Sequence, residues 1–295
     1  MGRLIVFKGA FTALVTPFSD GQIDAQALKN HVDFQIEKGI DGLVPCGTTG
    51  EASTLSHDEH IEVVRITVEH AAGRVPVIAG SGSNSTTEAL ELTKRVKETG
   101  ANASLMITPY YNKPTQEGLF QHFSTVAQKV DIPIILYNVP GRTGINMLPE
   151  TVARLAEIPN IVGLKDAAAD LKQTSYTRQL VPDDFVILSG EDTLVYPLMA
   201  VGGSGVISVT SNILPGEMAQ MCRRYLNGDM AGAAELHHKL LPICDAMFVE
   251  TNPIPVKAAL AMMGRIKNEF RLPLVPISDK GAASVRAAIT EFGLI

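Results

Sequence analysis

Eight short stretches of the chain, at 10–17, 42–46, 76–80, 104–108, 132–137, 161–165, 185–189 and 205–209, are almost continuously apolar. Strands buried on both faces read this way, whereas half-exposed strands alternate. Between the stretches run segments in which apolar side chains return at helical spacing, among them 24–38, 57–72, 85–98, 116–129 and 149–156. Ser56 and Glu59 have the spacing of a capping box at the start of the second segment, and Thr86, Thr87 and Glu88 mark the entry to the third. One landmark near each strand end (Thr16, Gly47, Gly80, Thr108, Tyr137, Lys165, Gly190, Ser208) follows the last after 31, 33, 28, 29, 28, 25 and 18 residues. Eight tandem strand–helix units of this length, with no dinucleotide fingerprint, predict an α/β fold of the (β/α)8 TIM barrel type over a doubly wound sheet.

Past about residue 215 the strand pattern stops, and 217–225, 229–247, 256–263 and 280–292 read as helices rich in Ala, Leu and Met. The expected organisation is a catalytic barrel over residues 1–228 and a C-terminal helical appendage over 229–295. No low-complexity linker separates the two, so the appendage is expected to pack on the barrel.

Composition narrows the partners. With 45% hydrophobic and 19% charged residues, the 295-residue chain is no disordered polymer. Its 25 Lys and Arg stand against 31 Asp and Glu, a net charge of −6. Without any basic run, this balance speaks against nucleic acid and for a small molecule. Cys46, Cys222 and Cys244 form no C-x-x-C pair, so neither a disulfide framework nor a zinc site is expected. No stretch approaches the roughly 18 apolar residues of a membrane helix. Residues 1–8 reach a lysine before any signal-length apolar run, and Val6 breaks a myristoylation pattern. The expectation is a cytoplasmic protein that does not enter a membrane.

Barrels of this kind place their chemistry at the C-terminal strand ends. Lys165 closes the sixth apolar run. Burial disfavours the charged form of an amine, and a neutral amine attacks a ketone carbon. An ion pair with Asp166 or another acid at the rim is the competing reading. Tyr137 closes the preceding run 28 residues earlier, one unit of the repeat. The two side chains should therefore sit at matching heights on strands about 5 Å apart. There a tyrosine can relay the protons of carbinolamine formation and dehydration, or simply pack its ring with the hydroxyl satisfied.

Gly47-Thr48-Thr49-Gly50-Glu51 follows the second run. Two glycines around two hydroxyl residues make a tight loop whose N–H groups suit a carboxylate, although such turns also arise for geometry alone. Arg142, on the loop after Tyr137, has the planar fork that grips a carboxylate in two places, although loop arginines are commonly solvated. His57 and His60 share a helical face without a third ligand, so no metal is expected. The stretch at 80–85 opens like a nucleotide-binding turn but lacks its third glycine, and the glycines at 202–205 precede the eighth strand instead of following it.

Together, GLVPCGTTGE (42–51), ITPYYNKPTQEGL (107–119), YNVPGRTG (137–144), GLKDA (163–167) and GVISVTSN (205–212) resemble the dihydrodipicolinate synthase family. The likeness runs nearly end to end and includes the C-terminal helices. GTTGE and the strand-six lysine are shared with the wider pyruvate Schiff-base aldolases, which include N-acetylneuraminate lyases and 2-keto-3-deoxy sugar acid aldolases. YNVPGRTG, with its Arg142, is the part that resembles the synthases more than the lyases.

The resemblance implies a Lys165 imine with pyruvate, condensing with L-aspartate β-semialdehyde on the way to diaminopimelate and lysine, with no cofactor. It implies that Thr48 and Thr49 hold the pyruvate carboxylate. Thr48, Tyr137 and Tyr111 would form a proton relay, with Tyr111 coming from the neighbouring subunit of a tight dimer. Arg142 would bind the carboxylate of the semialdehyde, and the carbonyls of Gly190 and Ile207 would line the pyruvate pocket. It further implies a homotetramer of two tight dimers. An inhibitory L-lysine site is implied at Ser53, His57, His60, Asn84, Glu88 and Tyr110. Other readings are a sugar-acid lyase keeping Lys165 and Tyr137, a phosphate-sugar isomerase, whose catalytic Glu and late phosphate loop are not evident, and a non-catalytic binding barrel.

Overall fold

A computed structural model describes residues 7–295. Of the N-terminal segment read above for a leader, only Phe7 and Lys8 fall within the described residues. The chain begins with β1 (Gly9–Ala13), a small hairpin of β2 (Phe18–Ser19) and β3 (Gln22–Ile23), α1 (Ala25–Glu37), β4 (Gly42–Val44) and α2 (His57–Ala71). It continues through β5 (Ile78–Gly80), α3 (Thr86–Glu98), β6 (Ala103–Ile107), α4 (Gln116–Lys129), β7 (Ile134–Asn138), α5 (Pro140–Thr143) and α6 (Pro149–Ala156). Then come β8 (Ile161–Asp166), α7 (Leu171–Leu180), β9 (Val186–Ser189), α8 (Val195–Ala200), β10 (Gly205–Ser208) and α9 (Pro215–Leu226). Three helices end the chain: α10 (Met230–Ala246), α11 (Ile254–Met262) and α12 (Asp279–Glu291).

Eight strands hydrogen-bond in the order β4-β1-β10-β9-β8-β7-β6-β5, and every pairing among them is parallel. A parallel bridge between Leu43 and Val77 joins the two ends of that order and closes the barrel. Phe11, Ile78, Leu105, Ile135 and Leu188 belong to one buried cluster in the barrel interior. Their strand neighbours Ile134, Leu136, Leu164 and Ile187 pack outward under the helices. Both faces are thus apolar, which is why the strands read as continuous runs.

Several helices start at a side-chain cap, and α5, α6, α9 and α11 start instead at a proline in the first turn. Ser56 and Glu59 make the expected capping box on α2, and Ser85 and Thr115 accept from the first-turn N–H groups of α3 and α4. α9 lies against β1 and β10 as an outer helix of the barrel. α10 and α12 share a buried apolar cluster with it, in which Met218, Cys222, Leu240, Ile243, Val285 and Ile289 meet. All three cysteines are free and buried. Among the described residues, no helix is long and apolar enough to cross a membrane.

Three features were not read from the chain. The β2–β3 hairpin turns through Asp20 and Gly21, whose φ values of 54° and 77° suit a two-residue hairpin loop. α7 buries only Thr174 and Thr177 against the barrel, so its inner face is written in threonines. α8 is only six residues long, in keeping with the shortened last spacings of the repeat.

Candidate active site

Lys165 and Tyr137 are Cα partners across the parallel β7–β8 ladder, the pairing that the 28-residue spacing predicts. Lys165 also faces Leu188 on β9. Side chains at matched register share a face of the sheet, and both neighbours belong to the interior cluster. The lysine therefore points into the barrel, where it is 6% exposed. Its Nζ lies 4.2 Å from the centroid of the Tyr137 ring.

The competing ion pair with Asp166 is absent. That carboxylate accepts from the Ala168 N–H at 3.0 Å and from the Thr174 hydroxyl at 2.7 Å. Burial pushes the Asp166 carboxyl above its ordinary range, and those two donors only partly offset the effect. Among the described residues, Lys165 has no hydrogen-bond or ion-pair partner.

Gly190 leaves the lysine its room. A Cβ there would lie 3.0 Å from Lys165 Cε and 2.7 Å from Ala167 Cβ. Glu191 follows, its carboxyl pushed up by burial and then by Asp192, while the charges of Lys165 and Arg142 pull it down. Ile207, on β10, is fully buried within the interior cluster.

Arg142 rides on α5, a single turn that follows β7. Pro140 starts it without losing a needed N–H, and Gly144 ends it at φ 72°. Thr143 is tied to the Val139 and Ile145 carbonyls at 3.2 and 3.0 Å, while Arg142 itself is exposed. The Gly47–Glu51 loop is equally constrained. Gly50 N–H donates to the Gly47 carbonyl and Glu51 N–H to the Thr48 carbonyl, both at 3.1 Å.

Thr48, Tyr137 and Arg142 border a cavity of about 440 Å³, and Ser53, His57, His60, Glu88 and Tyr110 border the same cavity. The groups assigned to catalysis and to lysine binding therefore share one continuous space. His57 Nε2 lies 3.0 Å from Glu88 Oε1, and the Ser83 hydroxyl donates to the other Glu88 oxygen. His60 Nε2 donates to the Gly80 carbonyl at 2.7 Å, and burial pulls its imidazole below the ordinary range. Burial, then the charge of Glu88, raises the Tyr110 phenol.

Six residues singled out from the chain do not border that space: Thr49, Asn84, Tyr111, Lys165, Gly190 and Ile207. Lys165 lies behind the Tyr137 ring that forms part of the wall. Tyr111 is 89% exposed, at a backbone φ of 72°, and among the described residues no hydrogen bond joins its hydroxyl to Thr48 or Tyr137.

Other groups escaped the reading of the chain. The glycine-rich stretch discarded as a nucleotide turn supplies Gly80, Ser81, Gly82 and Ser83 to the cavity wall. Its first glycine is required by contact, since a Cβ on Gly80 would lie 2.0 Å from the Cys46 carbonyl oxygen. From the far end of the chain, Asn252 Nδ2 donates to Thr49 Oγ1 at 3.0 Å, and Lys257 pairs with Glu51.

Residues 6–292 match the Dihydrodipicolinate synthetase family. The chain belongs to that family. It is 58% identical over 292 residues to a 4-hydroxy-tetrahydrodipicolinate synthase of Maridesulfovibrio salexigens, a match covering 99% of this chain and 100% of the relative. Its fold matches a chloride-inhibited dihydrodipicolinate synthase of Acinetobacter baumannii complexed with pyruvate, at a TM-score of 0.96 and 46% identity over 98% of this chain and 99% of the other. The enzyme of Cyanidioschyzon merolae with lysine bound matches at 0.96 and 41%, again over 98% and 99%. The fold is therefore the TIM barrel of dihydrodipicolinate synthases, and the activity is that of a 4-hydroxy-tetrahydrodipicolinate synthase.

Proposed function

We propose that this synthase joins pyruvate to L-aspartate β-semialdehyde through an imine on Lys165, and that Arg142 selects the second substrate. The observation that carries the reading is the unpaired Lys165 amine, buried at the mouth of the barrel against Tyr137. An amine without a partner is free to attack C2 of pyruvate. Loss of water from the carbinolamine leaves a protonated imine, an electron sink that acidifies the methyl group. Removal of a methyl proton gives the enamine, whose carbon adds to the aldehyde of the semialdehyde, and a proton goes to the new alkoxide. The semialdehyde amine then attacks the imine carbon and displaces the Lys165 amine, which closes the ring and frees the enzyme. No metal or organic cofactor enters these steps.

Thr48 and Thr49 are assigned to the pyruvate carboxylate, supported by the tight Gly47–Glu51 loop. Gly190 and Ile207 are assigned to the buried side, next to Lys165 and behind the cavity wall. Tyr137 and Thr48 relay protons, and the exposure of Tyr111 supports its service to a neighbouring subunit across a tight dimer, two of which form a homotetramer. The enzyme works in the cytoplasm. When pyruvate, L-aspartate β-semialdehyde and N-acetylmannosamine compete, the expected product by mass is the cyclic C7 dicarboxylate. Turnover of the sugar alone would remove Arg142 from its assigned role.

L-Lysine is assigned to the other side of the cavity, where Glu88 pairs with its ammonium and Tyr110, Ser53, His57 and His60 surround it, with Asn84 assigned just outside that wall. Added L-lysine is expected to inhibit, and Glu88→Ala to raise the half-inhibitory concentration about tenfold, the worth of one charge-assisted contact. An unchanged rate at millimolar lysine would sink this assignment.

A further inference from the structure

The Gly47–Glu51 loop is held from behind by the last quarter of the chain. Glu51, at a left-handed φ of 53°, is not on the cavity wall. Its Oε1 lies 2.5 Å from Lys257 Nζ, with both side chains 0% exposed. The Arg271 backbone N–H donates to its other oxygen at 3.3 Å. The rings of Phe18 and Phe270 stand 4.5 and 4.8 Å from the Lys257 ammonium. Lys257 occupies α11, where the whole run from Ile254 to Leu260 is buried.

Stability does not account for such a pair. Two charges withdrawn from water lose hydration that their attraction barely restores, and apolar residues of equal volume commonly serve a core as well or better. What an ion pair adds is a fixed direction. Here the direction is imposed on the last residue of the loop, three positions from Thr48. Asn252 holds Thr49, and the Thr16 hydroxyl donates to the Gly50 carbonyl at 2.7 Å. Three consecutive residues of the loop are thus pinned, two of them by groups more than 200 positions away.

We propose that Glu51 and Lys257 are a positioning pair that aims the loop's N–H and hydroxyl groups at the pyruvate carboxylate, so that the C-terminal helices set pyruvate affinity without touching it. The inference rests on the assignment of that carboxylate to Thr48 and Thr49. Misplacement of a binding group by an ångström loses much of its contribution. The loss should fall on ketones that carry a carboxylate and spare those that do not.

The test uses the double variant Glu51→Gln/Lys257→Met, which removes both charges together and leaves neither ion stranded. Imine formation at Lys165 is read by borohydride trapping and peptide mass mapping, with pyruvate and with acetone. The expected result is an approximately tenfold rise in half-saturating pyruvate, with trapping of acetone unchanged. An equal loss for both ketones would mean that Lys165 itself had been disturbed, and would overturn the proposal, as would wild-type pyruvate dependence. If the double variant does not fold, Phe270→Leu removes one ring from the ammonium and keeps both charges. It should raise half-saturating pyruvate about threefold, and no change would again overturn the pair's role. An unmodified enzyme that traps neither ketone at Lys165 would remove the imine reading itself, and this proposal with it.

Discussion

Lys165→Ala is expected to lower kcat by at least about a thousandfold while the barrel stays folded. Among the described residues no other amine occupies its place. Lys257 is fully buried and committed to Glu51. The fold should survive because the lysine satisfies no other polar group: its removal orphans no buried donor or acceptor. The alanine leaves a gap beside Gly190 and the Tyr137 ring, with a modest cost in stability. Borohydride with pyruvate should mark the unmodified enzyme irreversibly and leave the variant unmarked, while circular dichroism and the melting curve report an intact fold. A variant that still turned over within tenfold of the parent would place the nucleophile elsewhere.

Arg142→Ala should act on one substrate only. The guanidinium is exposed and, among the described residues, pairs with no acid, so its loss should leave the melting temperature nearly unchanged. Its contribution is to a carboxylate that arrives with the second substrate, and truncating one member of such a charge-assisted pair costs about 2–5 kcal/mol. That corresponds to a fall of roughly 30- to several-thousandfold in kcat/KM for the semialdehyde. Half-saturating pyruvate in the trapping assay should not move. Normal condensation by the variant would clear Arg142 of any part in recognition, and lost trapping would mean that it serves the imine step.

The barrel was legible because of how it is buried. Helices cover its strands outside and side chains fill it inside, so both faces are written in apolar residues and each strand stands out as a run. The spacing between runs then predicted a register, and Tyr137 and Lys165 are found opposite each other. α7 and the hairpin escaped because threonines and a two-residue turn give no apolar period. The glycines at 80 and 82 were set aside as a nucleotide turn and given no other part, and what they permit is the close approach of Cys46 and Ile107.

The support of the carboxylate loop was illegible for another reason. Asn252 and Lys257 act across gaps of 203 and 206 residues, and no local pattern records a contact of that range. A signal was present nonetheless. IPVKAALAM holds one charge in an otherwise apolar helix, and a lysine so placed must find an acid. The composition could say that it had a partner, but only the fold could say which.

The Glu51–Lys257 pair also bears on when the enzyme becomes an enzyme. Chains are made from the N-terminus and fold domain by domain as they emerge. A nascent chain ending at residue 250 already holds Lys165, Tyr137, Arg142 and every barrel strand, yet has no ammonium for Glu51 and no Asn252 for Thr49. The loop is among the first parts of the site to be made, and two of its anchors come more than 200 residues later. On the role proposed for the pair, a chain stopped at residue 250 would hold the nucleophile but meet pyruvate with a loop that lacks two of its anchors.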